Sequence, residues 1–202
     1  MARSKQLSEQ MRIQSREKLL SAAREIFATQ GYYNCKVSDI ARRAGMSQGS
    51  VYWYFPSKEE LLKAVLAEGF TRIESILFTA AARPGSASVR LEAMVDNFVT
   101  MIEEDSGFTS IFLSLLGHGG TPLLKQLGFD TIEIGTRYHR LILAVLAPAQ
   151  AEGLVAPVDP NTLAVFLFSL FNGFQITYQD GMSLLPPEEL KSAAFRLLGY
   201  KP

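Results

Sequence analysis

The sequence predicts an all-α protein: a small three-helix N-terminal domain, residues 1–56, joined to a larger helical domain, residues 57–202. Three observations carry the prediction. Apolar residues recur at three- and four-residue spacing along the 202-residue chain, enough for about nine helices. Capping residues, prolines and glycines stand where those helices should start and stop. Charge is divided unevenly. The first 58 residues hold ten Lys+Arg against four Asp+Glu, a net +6, and the remainder carries −6, so the whole chain is neutral.

In chain order, residues 1–14 are polar, with Arg3, Lys5 and Arg12, and read as a frayed arm that can touch phosphates. Residues 15–30 form a helix with Leu19, Leu20, Ala23, Ile26 and Phe27 on its apolar face, ended by Gly31. The stretch from Val37 to Phe55 follows and organises the domain. Val37, Ile40, Ala41 and Ala44 line one face of a short helix, Gly45 ends it, Met46 plugs the corner, and Ser47 caps a second helix that buries Val51 and Phe55. Helix, glycine turn, capped helix and buried aliphatic in that spacing make a helix-turn-helix, whose second helix enters the DNA major groove by its N-terminal residues. Its outward side is small and polar first, then aromatic: small residues let the backbone approach the bases, and tyrosine hydroxyls can donate to phosphates. A basic head on an acidic body fits that reading.

Ser57 and Glu60 form a capping box for a long helix through Leu61, Leu62, Val65, Leu66, Phe70, Ile73 and Leu77. Residues 82–88 are a loop by their Pro, Gly and Ser content. The body continues with a helix over 89–105, broken by Gly107, and a short apolar helix over 108–116. Gly117–Gly120 is a turn, and one long helix is expected from the cap Thr121 and Pro122 through Val145, stopped or kinked by Pro148. Asp159-Pro160 starts a helix over 161–179 that is apolar on more than one face and ends at Gly181. Pro186-Pro187 starts the last, with Leu190, Ala194, Phe195 and Leu198, closed by Gly199. Two closing helices with more apolar surface than one core can use imply a partner.

Several classes are disfavoured. Cys35 is the single cysteine, so neither a disulfide framework nor a cysteine zinc site can form within the chain. His118 and His139 are the only histidines, and no metal or other cofactor is expected. Glu103, Glu104 and Asp105 read as a solvated charge run. No nucleophile with a placed base and no glycine-rich phosphate loop appears, so an enzyme is not expected. Residues 1–16 lack the apolar core of a signal peptide, and the longest apolar segment, residues 163–174, is too short to span a bilayer; a soluble, cytoplasmic protein without a membrane partner is expected.

The motif Gly31-Tyr32, then Val37-x-x-Ile40-Ala41-x-x-Ala44-Gly45-Met46-Ser47-x-Gly49-Ser50-Val51-Tyr52-x-x-Phe55-x-x-Lys58-x-x-Leu61 resembles the N-terminal domain of the TetR (tetracycline repressor)/AcrR family. The resemblance covers roughly residues 10–62. It implies that Tyr52, Tyr54 and Lys58 contact phosphates and that Ser47, Gln48, Gly49, Ser50 and Trp53 form the recognition face. Two positions depart from the family pattern. Cys35 and Lys36 stand where a Thr or Ser usually caps the first hairpin helix, so the cap passes to Asn34 or is missing, and Lys36 becomes available to phosphate. Gln48 stands where Lys or Arg is frequent, and its amide suits adenine.

For the body, the resemblance implies a pocket for a small effector among the helices. Phe98, Met101, Phe112, Leu116, Tyr138, Phe174 and Tyr178 are its candidate lining, suited to a hydrophobic or flat aromatic ligand. It also implies a homodimer through the last two long helices, with Phe166, Leu170, Leu190, Ala194, Phe195 and Leu198 as candidate interface residues. Such a dimer presents two recognition helices to a palindromic double-stranded operator. The expected function is a transcriptional regulator, by the family's usual sign a repressor released by its effector. A non-specific architectural DNA binder without a ligand, and a helical carrier of hydrophobic ligands, are the alternatives.

Overall fold

Ten α-helices make up the described part of the chain, which in the computed structural model comprises residues 2–104, 107–179 and 185–201; no strand occurs among these residues. They fall into two units, one of residues 1–69 with 111–127 and one of residues 70–110 with 128–202.

The first unit is built on α1 (Ala2–Gln30), α2 (Val37–Ala44) and α3 (Gln48–Tyr54). α2 packs on α1 and α3 on α2. Leu19, Leu20, Ala23, Phe27, Ile40, Ala44 and Val51 are all buried, as the helical spacing predicted. Full burial of each large aliphatic side chain of this kind contributes about 1.5–3 kcal/mol. The unit also takes in the first half of α4 (Lys58–Ala81), the end of α6 (Gly107–Gly117) and α7 (Thr121–Gln126). Ser57 Oγ accepts the Glu60 backbone N–H at 3.1 Å, which is the expected cap.

The expected frayed arm is instead helix. α1 is continuous over 29 residues. Its first half contains no Gly or Pro, and Lys, Gln, Glu, Met and Arg all favour helix. Arg12 pairs with Glu9 one turn away at 2.6 Å.

The second unit contains α5 (Ala87–Glu104), α8 (Thr131–Ala151), α9 (Pro160–Gln179) and α10 (Pro187–Leu197), with the rest of α4 and α6. α5 packs against α8, α9 and α10, and α8 against α9. Asp159 Oδ2 accepts the Thr162 backbone N–H at 3.3 Å and starts α9 as expected. A strap closes the unit: Ala156 N–H donates to Leu198 O at 2.8 Å, and Lys201 N–H to Leu154 O at 2.9 Å.

The long helix expected over 122–145 is two helices. α7 ends at Gln126, Gly128 takes φ +92°, and Asp130 caps α8 by accepting the N–H groups of Ile132 and Glu133. Pro148 does not stop α8. It lies in the last turn, where the helix still runs to Ala151. Gly181, the Asp105 of the acidic run and the side chains of Glu103, Glu104 and Tyr178 lie outside the described residues. Among those described, no helix is long and apolar enough to cross a membrane.

Candidate nucleic-acid interface

The hairpin is formed by local chemistry. Val37, Ile40, Ala41 and Ala44 turn one face of α2 inward. Gly45 then takes φ +63°, a conformation that strains any residue with a Cβ, and Met46 N–H closes the turn on Ala41 O at 2.9 Å. Ser47 Oγ accepts the Ser50 N–H at 3.0 Å and lies 2.7 Å from Ser50 Oγ, so both hydroxyls serve the cap of α3. Val51 is buried in α3. Its burial sets the helix rotation and leaves Gln48, Gly49, Tyr52 and Trp53 exposed, with Ser50 and Tyr54 half-buried. Trp53 is 68% exposed and meets the Tyr54 ring edge-on, with centroids 4.6 Å apart.

The start of α2 resolves one departure. Lys36 is the cap residue and offers no side-chain acceptor; its own backbone N–H donates to Asp39 Oδ2 at 3.1 Å. Asn34 makes no part of this cap. The Lys36 side chain is exposed. Lys58, the other expected phosphate contact, has an internal partner. Its Nζ donates to Cys35 O at 2.6 Å and sits 4.6 Å from the Tyr32 ring centroid, while Tyr32 Oη donates to Glu59 Oε1 at 3.1 Å. This cluster fastens the turn before α2 to the start of α4. Burial, reinforced by Glu59, pushes the Tyr32 phenol well above its usual range. Burial likewise pushes the Cys35 thiol up, which keeps it protonated and inert.

Part of the head's positive charge is spent internally. Arg43 grips Glu25 through two contacts, 2.8 Å and 2.6 Å, and holds that carboxyl below its usual range. Arg42 pairs with Asp39 at 2.7 Å and Arg24 with Glu68 at 3.2 Å. Such pairs between well-solvated side chains orient helices more than they stabilise them.

In the second unit Phe98 is buried and stacked on Phe171, 4.1 Å between centroids. Met101 is buried, Phe174 is half-buried, and Tyr138 is buried with its hydroxyl donating to Phe70 O at 2.8 Å. Phe112 and Leu116 are half-buried and belong to the first unit. Sequence reasoning missed a buried polar pair: Thr109 Oγ1 on α6 donates to Gln175 Oε1 on α9, and both residues are almost fully enclosed. Their separation of 66 residues left no local signal. His139 donates to Asn161 Oδ1 at 3.0 Å, and the exposed His118 lies 2.7 Å from Ser114 O.

α9 and α10 wall an apolar groove of about 320 Å³ lined by Leu163, Phe166, Leu167, Leu170, Ala194 and Leu197 among others. Val165, Phe166 and Leu197 are 58%, 72% and 67% exposed beside it. Leu190, Ala194 and Leu198 are buried within their own chain, Ala194 and Leu198 as lining of this groove, and Phe195 is half-buried against the Tyr200 ring at 4.8 Å. The reason is that α10 packs its Leu190–Ala194 side on α5, so its outward apolar residue is Leu197.

Residues 19–65, which carry the hairpin, its support from α1 and the first turns of α4, match the family described as bacterial regulatory proteins, tetR family. The N-terminal head is thus a domain of the tetR family. It is 32% identical over 122 residues to YdgC of Bacillus subtilis (strain 168), named as an HTH-type transcriptional regulator; the match covers 58% of this chain and spans only 60% of that relative's length. The fold extends the likeness beyond the head. The ketosteroid transcriptional regulator KstR2 of Mycobacterium tuberculosis superposes with a TM-score of 0.76 at 20% identity, covering 93% of this chain and 95% of that one. The transcriptional regulator FadR of Bacillus subtilis, solved with stearoyl-CoA, gives 0.68 at 20% identity, covering 91% and 97%. The head's likeness therefore rests on sequence, and the body's on fold alone.

Proposed function

We propose that the protein is a homodimeric transcriptional repressor that binds a palindromic operator and is released by a small, largely hydrophobic effector. The observation that carries the reading is the outward face of α3. Burial of Val51 leaves Gln48, Gly49, Tyr52 and Trp53 free at a capped helix start, which is the arrangement needed to meet base edges and flanking phosphates. Gln48, Gly49, Ser50 and Trp53 read the groove, Ser47 shapes the helix start, and Tyr52, Tyr54 and Lys36 take phosphates. Lys58 holds the turn before α2 and keeps N–H groups for a phosphate as well.

The exposed Val165, Phe166 and Leu197 around the α9–α10 groove support dimerisation, because a patch of large apolar side chains on a monomer marks an interface. With two-fold symmetry, each protomer places one recognition helix in a half-site. The effector is proposed to act on the body helices by a shift in population between head spacings that do and do not fit the operator. Two fold neighbours, named for a ketosteroid and solved with stearoyl-CoA, support a largely apolar ligand. The stacking of Phe98 on Phe171 and the satisfied Tyr138 hydroxyl favour a second reading, in which the body is filled and the protein binds DNA without an effector.

The test is binding of purified protein to duplexes at physiological salt with excess competitor DNA. Competitor-resistant binding that a steroid or fatty acyl-CoA weakens supports the first reading. Binding that survives competitor but ignores every ligand supports the second. Loss of all binding to competitor removes sequence specificity from both.

A further inference from the structure

The extended part of α1 makes a second surface with the end of the recognition helix. Arg12, Ile13 and Arg16 on α1 face Trp53 and Tyr54 on the last turn of α3 across an open cleft of about 330 Å³. The cleft is walled by aromatic rings and an isoleucine and carries two guanidinium groups. Arg16 differs from Arg24, Arg42 and Arg43, which are each held by a carboxylate. Among the described residues no carboxylate pairs with Arg16; its guanidinium lies over the Phe55 ring, 5.2 Å from the centroid, and the residue is exposed. Arg12 is tied only to the exposed Glu9, a pairing that a stronger anion can replace.

We propose that this cleft holds the sugar-phosphate backbone of the duplex beside the groove that α3 enters, with Arg16 and Arg12 as phosphate contacts and Trp53 as the wall against the sugar. The inference rests on the DNA-binding reading above and extends its footprint onto α1. Two features select this occupant. Arg16 faces outward with no acid opposite and Arg12 is held only by the exposed Glu9, so the occupant is an anion. Trp53 and Tyr54 belong to both the cleft and the recognition helix, so a strand following the edge of that helix passes through the cleft. An arginine resting over a ring is partly pre-ordered for a phosphate and loses less freedom on binding it.

Full-length protein, titrated by fluorescence anisotropy against a duplex enriched from a random pool and against a scrambled duplex, tests this. For Arg16→Gln, Arg12→Gln and the double variant, the slope of log K against log salt should fall by about 0.9 for each phosphate that is no longer neutralised. The affinity loss should be the same factor on both duplexes. Arg16→Lys should restore most of the slope. Trp53 is the only tryptophan, so its emission should change on DNA binding, and less so in the double variant. An unchanged slope in the double variant, with wild-type binding intact, overturns the cleft and leaves the hairpin reading standing. A loss confined to the enriched duplex overturns it too, since that marks base reading. If the wild type binds no duplex, both readings fall together.

Discussion

Replacing Gly49 by alanine separates a residue needed for folding from one needed for DNA contact. A Cβ built at Gly49 meets only Ser47 Oγ, at 3.8 Å, an ordinary van der Waals distance, and the residue is exposed. The free protein therefore accepts the methyl. Alanine favours helix over glycine by up to ~1 kcal/mol in a helix interior, less at the second residue of α3, so stability should hold or rise slightly. For a chain this long, each 1 kcal/mol moves Tm by about 2–4 °C. On DNA the effect should have the opposite sign. The start of α3 is the part pressed against the bases, and the methyl there must push the helix outward and break a base contact. A good base contact contributes about 1–3 kcal/mol, so affinity should fall roughly 5- to 150-fold per half-site. Thermal melting and anisotropy titration of the same samples read both numbers. A variant that melts no lower than wild type and binds as tightly refutes the placement of the α3 start at the base edges.

Four further outcomes are expected. Phe166→Glu should shift the sedimenting species toward monomer, because it puts a charge in the exposed patch beside the α9–α10 groove; an unchanged mass places the interface elsewhere. Cys35 should resist alkylation at neutral pH in folded protein and react when denaturant opens the first unit, since burial raises its pKa; rapid labelling without denaturant contradicts that packing. Tyr200 Oη and Ser88 Oγ both donate to Glu92 and hold its carboxyl below the usual range, so this tie stabilises above the ordinary glutamate pKa of about 4.3 and is lost as pH falls through the lower folded value. Tyr200→Phe should therefore cost about 0.5–1 kcal/mol at pH 7, and the difference from wild type should shrink at acid pH; a constant difference contradicts the assignment. Lys58→Met should lower Tm by loosening the turn before α2 as well as weakening DNA binding, whereas a pure phosphate contact would leave Tm alone.

The hairpin was legible because its signals are local: an apolar face at helical spacing, a glycine at the one position that needs positive φ, and a serine cap three residues before the N–H it accepts. The first half of α1 was not, because among its described side chains none is buried; Leu7, Met11 and Ile13 are exposed, and a helix without a buried face leaves no periodic pattern. The break between α7 and α8 turned on Gly128, whose φ depends on a fold the sequence does not display. The apolar side of α10 was visible, yet periodicity does not say what covers it. Leu190, Ala194 and Leu198 are covered by the chain itself, and only Leu197 is left facing out. Lys58 bonded to Cys35 O and Thr109 bonded to Gln175 join residues 23 and 66 apart, and no local rule connects them.

The most direct test of the central claim is selection of bound duplexes from a random pool, followed by measurement of how many protomers each selected duplex takes. A two-fold dimer should select an inverted repeat whose half-site centres lie about one helical turn, roughly 10 base pairs, apart, or a multiple of it, with two protomers per repeat. A pool that yields no common sequence, or a single asymmetric site filled by one protomer, contradicts it.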